Sequence, residues 1–311
     1  MPTTAPRRRP SLLLRFATAV VRSRGVKTVL SSPERTEADR LDNVAAGPAR
    51  PPARLLRELD VQERTLEGVT TYRVAGRGAP SRGVMVYLPG GAYINPMVPE
   101  QWGVVRDLVR RAGMTVHVPM YRLAPEGTVS TEVPRVAAIL RAVVEQDGGD
   151  GVVAIGGDSA GGGLAAAVSL HAGRHGGPRV DQLVLFSPWL DVALTNPGIA
   201  AIDPHDPSLA VPGLRWAGRL WAGDVPLDDP LVSPVHADPT AFPPTTIVMG
   251  SSDIFAADAR QLVAAAAASG ADMEYLEAAG GFHVFVGATF LPETRWAMRE
   301  VAARLRGAAR G

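Results

Sequence analysis

Short apolar runs alternate with longer amphipathic stretches from about residue 60 almost to the end of the chain. The short runs are bounded by glycine, proline or polar residues, which is typical of buried strands. The longer stretches have the apolar spacing of helices. The alternation predicts an α/β fold, with a mostly parallel central sheet and helices on both faces. The predicted strands are 84–88, 115–118, 152–155, 183–186, 246–249 and 273–276, and the predicted helices are 101–111, 133–145, 160–171, 256–268 and 292–306.

Two parts of the chain do not follow this alternation. One is the first 55 residues, which end near the helix-breaking pair Pro51 and Pro52. The other is the segment 191–238, which is rich in Pro, Asp and Trp and is too long for an ordinary connection. We therefore expect an N-terminal helical cap segment (1–55), a core in two parts (56–190 and 239–311) and a cap insertion (191–238).

Composition narrows the class of protein. Hydrophobic residues make up 46% of the chain and charged residues 20%, which is typical of a globular protein with an ample core. The 32 basic residues nearly cancel the 31 acidic ones, so we expect a small, weakly charged partner and no nucleic acid. The absence of cysteine excludes disulfides, thiolate metal ligands and a cysteine nucleophile. Serine is then the expected nucleophile.

The N-terminus resembles a signal peptide only in part. Arg7, Arg8 and Arg9 precede the apolar stretch 11–21, but Arg15 interrupts it and no small-x-small cleavage site follows. These features favour an amphipathic helix and a cytoplasmic protein. No run approaches the roughly 18 apolar residues of a membrane span, so we expect no integral membrane association.

A nucleophile motif lies between a predicted strand and a predicted helix. The residues Gly157-Asp158-Ser159-Ala160-Gly161 follow strand 152–155 and begin the next helix, as in a nucleophile elbow. The turn is so tight that the positions two before and two after the serine tolerate little beyond hydrogen. The helix N-terminus also favours negative charge beside the hydroxyl. The motif predicts that Ser159 is the nucleophile.

A glycine-rich loop follows strand 84–88 and offers backbone N–H groups. We predict that the amides of Gly91 and Ala92, with that of Ala160, stabilise an oxyanion, where one such donor can contribute about 3 kcal/mol. Gly90 is assigned to the same oxyanion hole because it allows a close approach of the chain. A glycine-rich surface turn is the alternative interpretation.

Chain order selects the base and the acid. In α/β hydrolases the order is serine, acid, histidine, and the histidine lies between the last core strand and the final helix. His283 meets that description, while His236 is a weak competitor. Asp253 follows strand 246–249 and is the predicted acid, which would orient the imidazole and stabilise its charged form. Asp258, one turn into the following helix, is the nearest rival and is better explained by charge complementarity at the helix N-terminus.

Together these residues resemble the hormone-sensitive-lipase-like esterases, which are family IV of the bacterial lipolytic enzymes. The likeness covers roughly residues 60–306. It implies a helical cap over an acyl pocket and hydrolysis of short- to medium-chain esters without a metal or cofactor. We also predict substrate contacts from Tyr93, Asp158, Trp189 and Trp216, and a homodimer is compatible with the sequence. The motifs of the resemblance are Pro89-Gly90-Gly91-Ala92-Tyr93, Tyr121-Arg122-Leu123-Ala124-Pro125-Glu126, Gly157-Asp158-Ser159-Ala160-Gly161, Ser187-Pro188-Trp189, Asp229-Pro230-Leu231-Val232-Ser233-Pro234 and Gly281-Phe282-His283.

One loop departs from the family pattern. The family usually has His-Gly-Gly-Gly, whereas Pro89 stands here for the histidine and Ala92 for the third glycine. Ala92 still has an N–H, and we expect the stiffness of Pro89 to replace the hydrogen bonds of the histidine. The segment 121–126 is expected to be structural.

Two alternatives stay open at this point. The same triad could hydrolyse a lactone, an amide or a carbamate, because the chemistry is acyl transfer in each case. A non-catalytic small-molecule-binding protein on the same fold is the alternative from another class, and the presence of His283 argues against it.

Overall fold

The structure, a computed structural model, describes residues 3–4, 9–78 and 80–308. Within these residues, nine strands form one sheet in the order β1-β9-β8-β7-β6-β4-β5-β3-β2. The β2–β3 and β3–β5 pairs are antiparallel, and all other neighbours are parallel. The strands are β1 (Thr3–Thr4), β2 (Leu59–Leu66), β3 (Val69–Gly76), β4 (Gly83–Leu88), β5 (Thr115–Pro119), β6 (Val152–Asp158), β7 (Gln182–Phe186), β8 (Thr245–Gly250) and β9 (Met273–Ala278).

Helices cover both faces of the sheet. Alternate residues of the buried strand β4 enter two separate apolar clusters: Val86 points to one, and Met85 and Tyr87 point to the other. Helices α6, α7, α9 and α10 pack in the first cluster, and α1, α4, α5 and α11 pack in the second. The helices are α1 (Leu12–Ser23), α2 (Val26–Val29), α3 (Pro33–Ala46), α4 (Ala53–Glu58), α5 (Gln101–Asp107), α6 (Val129–Val143), α7 (Ser159–Arg174), α8 (Ile199–Ile202), α9 (Val211–Ala222), α10 (Ala256–Ser269) and α11 (Pro292–Gly307).

The predicted α/β fold is confirmed, and all six predicted strands and five predicted helices are present within a few residues of their expected bounds. Two of the helices, α5 and α6, continue into π-helical turns at Leu108–Ala112 and Val144–Gly148. Strands β1, β2 and β3 were not predicted. Strands β2 and β3 form a hairpin at one edge of the sheet, so the antiparallel pairs β2–β3 and β3–β5 both lie at that edge.

The N-terminal helices and the 191–238 insertion contact one another. The N–H of Gly213, on α9, donates to the carbonyl of Leu30 at 2.8 Å, and a Cβ at Gly213 would lie 2.2 Å from Thr36 Oγ1 on α3. Lys27 Nζ lies 3.1 Å from an Asp203 carboxylate oxygen. A hydrogen bond and an ion pair therefore join the two segments that the sequence set apart from the core.

Helix α1 does not pack beside the insertion. Its buried residues, Leu14 and Ala17, pack in the cluster that contains α11, on the opposite side of the sheet from α9. Ser11 caps the helix by accepting the N–H of Leu14 and bonds to the Glu293 carboxylate. The predicted cap segment 1–55 is therefore divided, because α2 and α3 contact the insertion whereas α1 packs on the other side of the sheet.

The carboxyl ends of the parallel strands meet at one edge of the sheet. The loops after β4, β6, β8 and β9 all leave this edge, which is where α/β proteins place their ligands. Within the described part of the chain, no helix has both the length and the apolar character needed to cross a bilayer.

Candidate active site

Ser159 lies in a strained turn between β6 and α7. Its φ is +53°, a left-handed conformation that a non-glycine residue adopts only when its surroundings enforce it. A Cβ at Gly157 would lie 2.4 Å from the Leu88 carbonyl oxygen, and one at Gly161 would lie 2.0 Å from the same atom. No side chain fits at either position, so the two glycines let β6 and α7 close tightly on β4 behind the serine.

His283 lies in the loop between β9 and α11. The next residue, Val284, has a φ of +51°, and its N–H donates to Ser187 Oγ at 3.0 Å. Ser252 N–H donates to the Gly281 carbonyl at 2.9 Å, and this bond ties the histidine loop to the loop after β8. The Ser187-Pro188-Trp189 motif thus supplies the group that fixes the backbone beside the imidazole.

The three predicted residues come together in one hydrogen-bonded chain. His283 Nε2 lies 2.9 Å from Ser159 Oγ, and its Nδ1 lies 2.8 Å from Asp253 Oδ2. With a proton on Nδ1 held by the carboxylate, Nε2 is the acceptor that faces the serine hydroxyl. This is the geometry of a nucleophile, a base and an orienting acid.

The surroundings favour the charged form of the imidazole. Burial acts to lower the pKa of His283, but the charge and hydrogen bond of Asp253, with the charges of Asp206 and Asp158, raise it above its usual value. Asp253 is fully buried, and its second oxygen accepts the N–H of Phe255 at 3.0 Å. The carboxylate is therefore held at both oxygens.

The rivals for these roles lie elsewhere. Asp258 is buried on α10 beside Asn196 and Asp191, and the carboxylate that bonds to His283 is that of Asp253. His236 is exposed on the short helix Pro234–His236. Among the described residues there is also no group of three potential metal ligands.

The loop after β4 passes directly over the serine. A Cβ at Gly90 would lie 2.8 Å from Ser159 Cβ, so only glycine allows this approach. In the described structure, the N–H groups of Gly91 and Ala92 donate to no protein acceptor, as an oxyanion hole requires. The N–H of Gly90, in contrast, donates to Asp158 Oδ1 at 3.1 Å. Gly90 thus contributes its lack of a side chain, and its amide is already engaged.

Asp158 was predicted to contact the substrate, but its carboxylate bonds to other residues of the protein. Its carboxylate is buried and accepts hydrogen bonds from the Tyr87 hydroxyl at 2.5 Å and from Gln101 Nε2 at 2.9 and 3.0 Å, besides the Gly90 amide. Burial raises the pKa of Asp158, although these donors oppose the shift. The residue before the nucleophile therefore fixes the oxyanion loop and has no free oxygen directed at a substrate.

Two further hydrogen bonds support the same loop, both from the segment 121–124. The hydroxyl of Tyr121 donates to the Pro89 carbonyl at 2.7 Å, and the N–H of Ala124 donates to the Tyr93 carbonyl at 2.8 Å. The segment 121–126 is therefore scaffolding, as expected, and it braces the oxyanion loop specifically. The loop needs such support because Ala92 and Tyr93 both have positive φ, at +53° and +63°.

The sequence did not predict the role of Asp206. This buried residue follows the short helix Asp203–His205 in the insertion, and its Oδ2 accepts the N–H of Ile254 at 2.9 Å. Its Oδ1 accepts the N–H groups of Ser208 and Leu209. Burial and the charge of Asp253 raise the pKa of Asp206. In the sequence, Asp206-Pro207-Ser208 indicates only a turn and does not indicate that Asp206 bonds to Ile254.

Three of the predicted substrate-contacting side chains are aromatic, and two of these are buried in a column of rings. Tyr93 stacks on Trp221 of α9 with 4.2 Å between ring centroids, and Trp189 lies beside Tyr93 and stacks on Phe255. Phe255 stands edge-on to His283 at 5.1 Å. Trp216 is half-buried on α9 and belongs to no ring pair among the described residues. The column connects the insertion to the imidazole.

A small cavity borders the oxyanion loop. It has a volume of about 140 Å³, and Pro89, Gly90, Met97, Tyr121 and Leu123 are among the residues that line it. The predicted nucleophile and base are nearly covered, because Ser159 is 8% exposed and the His283 side chain 13%. Space for a substrate is thus limited in this conformation.

Comparisons with known proteins identify the fold of this chain. A family model described as the α/β-hydrolase fold matches residues 85–287. An acetyl-hydrolase of Streptomyces hygroscopicus is 33% identical over 279 residues, which cover 89% of this chain and 90% of the relative. An esterase of Acinetobacter venetianus is 27% identical over 269 residues, or 84% and 88% of the two chains.

A solved structure of an esterase has the same fold. The crystal structure of an esterase from the bacterial hormone-sensitive lipase family superposes with a TM-score of 0.80 at 27% identity, covering 96% of this chain and 99% of that one. The resemblance drawn from the motifs is therefore confirmed. This chain belongs to the hormone-sensitive-lipase-like esterases of the α/β-hydrolase fold.

Proposed function

We propose that this ester hydrolase is a serine carboxylesterase that cleaves short- to medium-chain carboxylic esters through an acyl-enzyme on Ser159. The observation that carries the proposal is the continuous chain of hydrogen bonds from Ser159 Oγ through His283 to Asp253, with lengths of 2.9 and 2.8 Å. No other described histidine stands between a serine and a carboxylate in this way. The name of the Streptomyces relative, an acetyl-hydrolase, supports a short acyl group.

The first half of the reaction forms the acyl-enzyme. Ser159 Oγ attacks the ester carbonyl while its proton moves to His283 Nε2, and the carbonyl oxygen becomes an oxyanion. We assign the N–H groups of Gly91, Ala92 and Ala160 as its donors. When the tetrahedral intermediate collapses, the proton on Nε2 passes to the leaving alkoxide, and the alcohol departs.

The second half releases the acid. A water molecule gives a proton to the same Nε2 and attacks the acyl-enzyme carbonyl, and a second tetrahedral intermediate forms in the same oxyanion hole. Its collapse returns the proton to Ser159 Oγ and frees the carboxylic acid. Asp253 holds the imidazole throughout and stabilises the charge that it carries between the two proton transfers.

We further propose that the N-terminal helices α2 and α3 form a cap together with the 191–238 insertion. The bond of Gly213 to Leu30 and the ion pair of Lys27 with Asp203 support it. Because Ser159 and His283 are nearly covered, a substrate would need the cap to shift. Tyr93, Trp189 and Trp216 would then line the acyl or alcohol side of the opened site, as the sequence predicts.

The proposal is tested with p-nitrophenyl esters of increasing acyl length, assayed on the wild type and on Ser159→Ala. We expect turnover that is highest for short chains and lost in the variant by roughly four or more orders of magnitude. Ser169→Ala is the matched control, because Ser169 is also buried on α7 but bonds only to a backbone carbonyl. Turnover retained in Ser159→Ala would contradict the nucleophile assignment.

The same assay separates the alternatives. Lactones, anilides and carbamates are added to the panel, and a higher kcat/KM for one of them would replace the ester as the preferred substrate class. Absence of turnover for every compound in the wild type, with binding of the same compounds intact, would favour a non-catalytic binding protein.

A further inference from the structure

The outward face of helix α1 is apolar. Leu12, Leu13, Phe16 and Val20 are exposed by 79%, 48%, 68% and 38%. Leu13, Phe16 and Val20 follow Leu12 by one, four and eight residues, so the four side chains form one stripe along the helix. The described chain thus holds four large apolar side chains in water on a single element of twelve residues.

This stripe is separate from the face that fixes the helix to the protein. Leu14 and Ala17 point in the opposite direction and are buried against the core. The helix is therefore already anchored without using its outer side chains. A contiguous exposed apolar stripe of this kind marks an interaction surface rather than an incomplete core.

Basic residues border the stripe, and the segment of the chain that carries it contains no acidic residue. Residues 1–33 contain seven of the 32 basic residues of the chain and none of its 31 acidic residues, so the remainder of the protein carries net negative charge. Arg15 and Arg22 flank the stripe and are exposed, and neither takes part in an ion pair among the described residues. The charge of this surface is complementary to an anionic partner.

The stripe begins beside the loop that carries the catalytic histidine. A Cβ at Gly280 would lie 3.0 Å from Pro10, and Ser11 bonds to Glu293 at the start of α11. Phe290, 53% exposed, stands between His283 and that helix. A surface bound at α1 would therefore lie next to the active-site edge of the sheet.

We propose that α1 is a docking helix for an anionic lipid bilayer, lying flat in the interface with its apolar stripe among the acyl chains. An amphipathic helix with leucine and phenylalanine on one side and arginine at its border is the pattern of interfacial binding. Each basic side chain near an anionic surface adds to the affinity. A second copy of the chain fits less well, because pairing two such stripes would bring the unpaired Arg15 and Arg22 of one copy near those of the other.

The test measures binding separately from catalysis. Ser159→Ala protein is sedimented with vesicles of phosphatidylcholine alone and of phosphatidylcholine with phosphatidylglycerol. We expect binding to the anionic vesicles that weakens with salt, and little binding to the neutral ones. Leu12→Gln with Phe16→Gln should lower the partition coefficient by roughly tenfold or more, and Arg15→Gln with Arg22→Gln should do the same. This outcome does not depend on the proposed esterase activity.

Matched controls come from helix α4. Leu56 is 47% exposed, nearly the same as Leu13, and Arg57 is exposed beside it. Leu56→Gln with Arg57→Gln should bind vesicles like the parent, and thermal unfolding should show that every variant is folded. Equal binding of the α1 variants and the parent would overturn the proposal. So would a parent that ignores vesicles but forms a dimer that the α1 variants lose.

Discussion

The carboxylate of Asp206 accepts the backbone N–H of Ile254, the residue that follows Asp253, at 2.9 Å. The 191–238 insertion therefore bonds directly to the loop that carries Asp253, the proposed acid of the triad. Asp206 does not touch His283 through a hydrogen bond, but its charge is one of those that raise the pKa of the imidazole. We regard it as a positioning residue.

Asp206→Asn is expected to change both the rate and its pH dependence. The base must be neutral to accept a proton, and its pKa is raised above 6.5, so kcat/KM of the wild type should decline as the pH falls through a value above 6.5. Removing the negative charge lowers that pKa, so the decline should move to lower pH. Loss of one acceptor at Ile254 should reduce kcat/KM by about tenfold.

Asp203→Asn is the control for this prediction. Asp203 lies three residues earlier in the same segment, but its side chain is 42% exposed and pairs with Lys27. Its replacement should leave the pH profile where it was. An Asp206→Asn profile that coincides with that of the wild type would show that the insertion has no electrostatic influence on the base.

Gly161→Ala should prevent normal packing of the elbow. The new methyl group would lie 2.0 Å from the Leu88 carbonyl oxygen, a backbone atom that cannot move aside cheaply. We expect a loss of about 3 kcal/mol in the free energy of unfolding, measured by urea denaturation. Gly173→Ala on the same helix meets no atom within 4 Å, so it should be neutral or stabilise by about 0.5–1 kcal/mol.

Tyr121→Phe tests the brace on the oxyanion loop. The substitution leaves the Pro89 carbonyl without its donor, so the loop should lose its fixed position over Ser159. We expect kcat to fall by about tenfold with a smaller change in KM, because the oxyanion forms only during the reaction. Tyr275→Phe also removes a buried hydroxyl, on β9, and should leave kcat unchanged. If both variants keep the wild-type kcat, the stiffness of Pro89 alone is sufficient.

Asp258→Asn should make stability less dependent on pH. Burial raises the pKa of Asp258 from 3.8 to about 7, and the nearby charge of Asp191 adds to the shift. Between these two values the folded state holds a proton that the unfolded state has released, so the stability of the wild type declines as the pH rises. Asparagine has no such proton.

The measurement for this variant is a pair of melting curves. At pH 8 the Tm of Asp258→Asn should exceed that of the wild type by about 3 °C, and the two should converge near pH 4. The exposed Asp224→Asn should follow the wild type at both values. A constant difference at all pH values would mean that Asp258 is ionised in the folded protein.

The core strands and the order of the site residues could be predicted because both follow from local pattern and parallel topology. Once the strands that precede Ser159 and Asp253, β6 and β8, run parallel in one sheet with only β7 between them, their following loops must meet at one edge. The β2–β3 hairpin was missed, although Glu67 and Gly68 form a two-residue connection with φ of +51° and +73°. Two positive φ values in succession usually require Asn-Gly or Asp-Gly, so glutamate at the first position made the turn hard to predict from the sequence.

Side-chain partners across the fold could not be predicted in the same way. Asp158 and Gln101 are 57 residues apart, and Asp206 and Ile254 are 48 apart, with no periodic pattern joining either pair. The sequence analysis predicted a substrate contact for Asp158. The direction of the Asp158 side chain depends on the register of β6 beside β4, which places this residue below the oxyanion loop.

The aromatic column from Trp221 to His283 gives the protein a built-in optical reporter. The Trp221 indole lies parallel to the Tyr93 ring within 3°, so a displacement of α9 would separate the two rings and alter fluorescence and near-ultraviolet dichroism. Of the five tryptophans, only Trp216 on that same helix is accessible enough for a collisional quencher to reach. Movement of this helix during ligand entry could therefore be followed in unlabelled protein, on the millisecond scale of stopped-flow mixing.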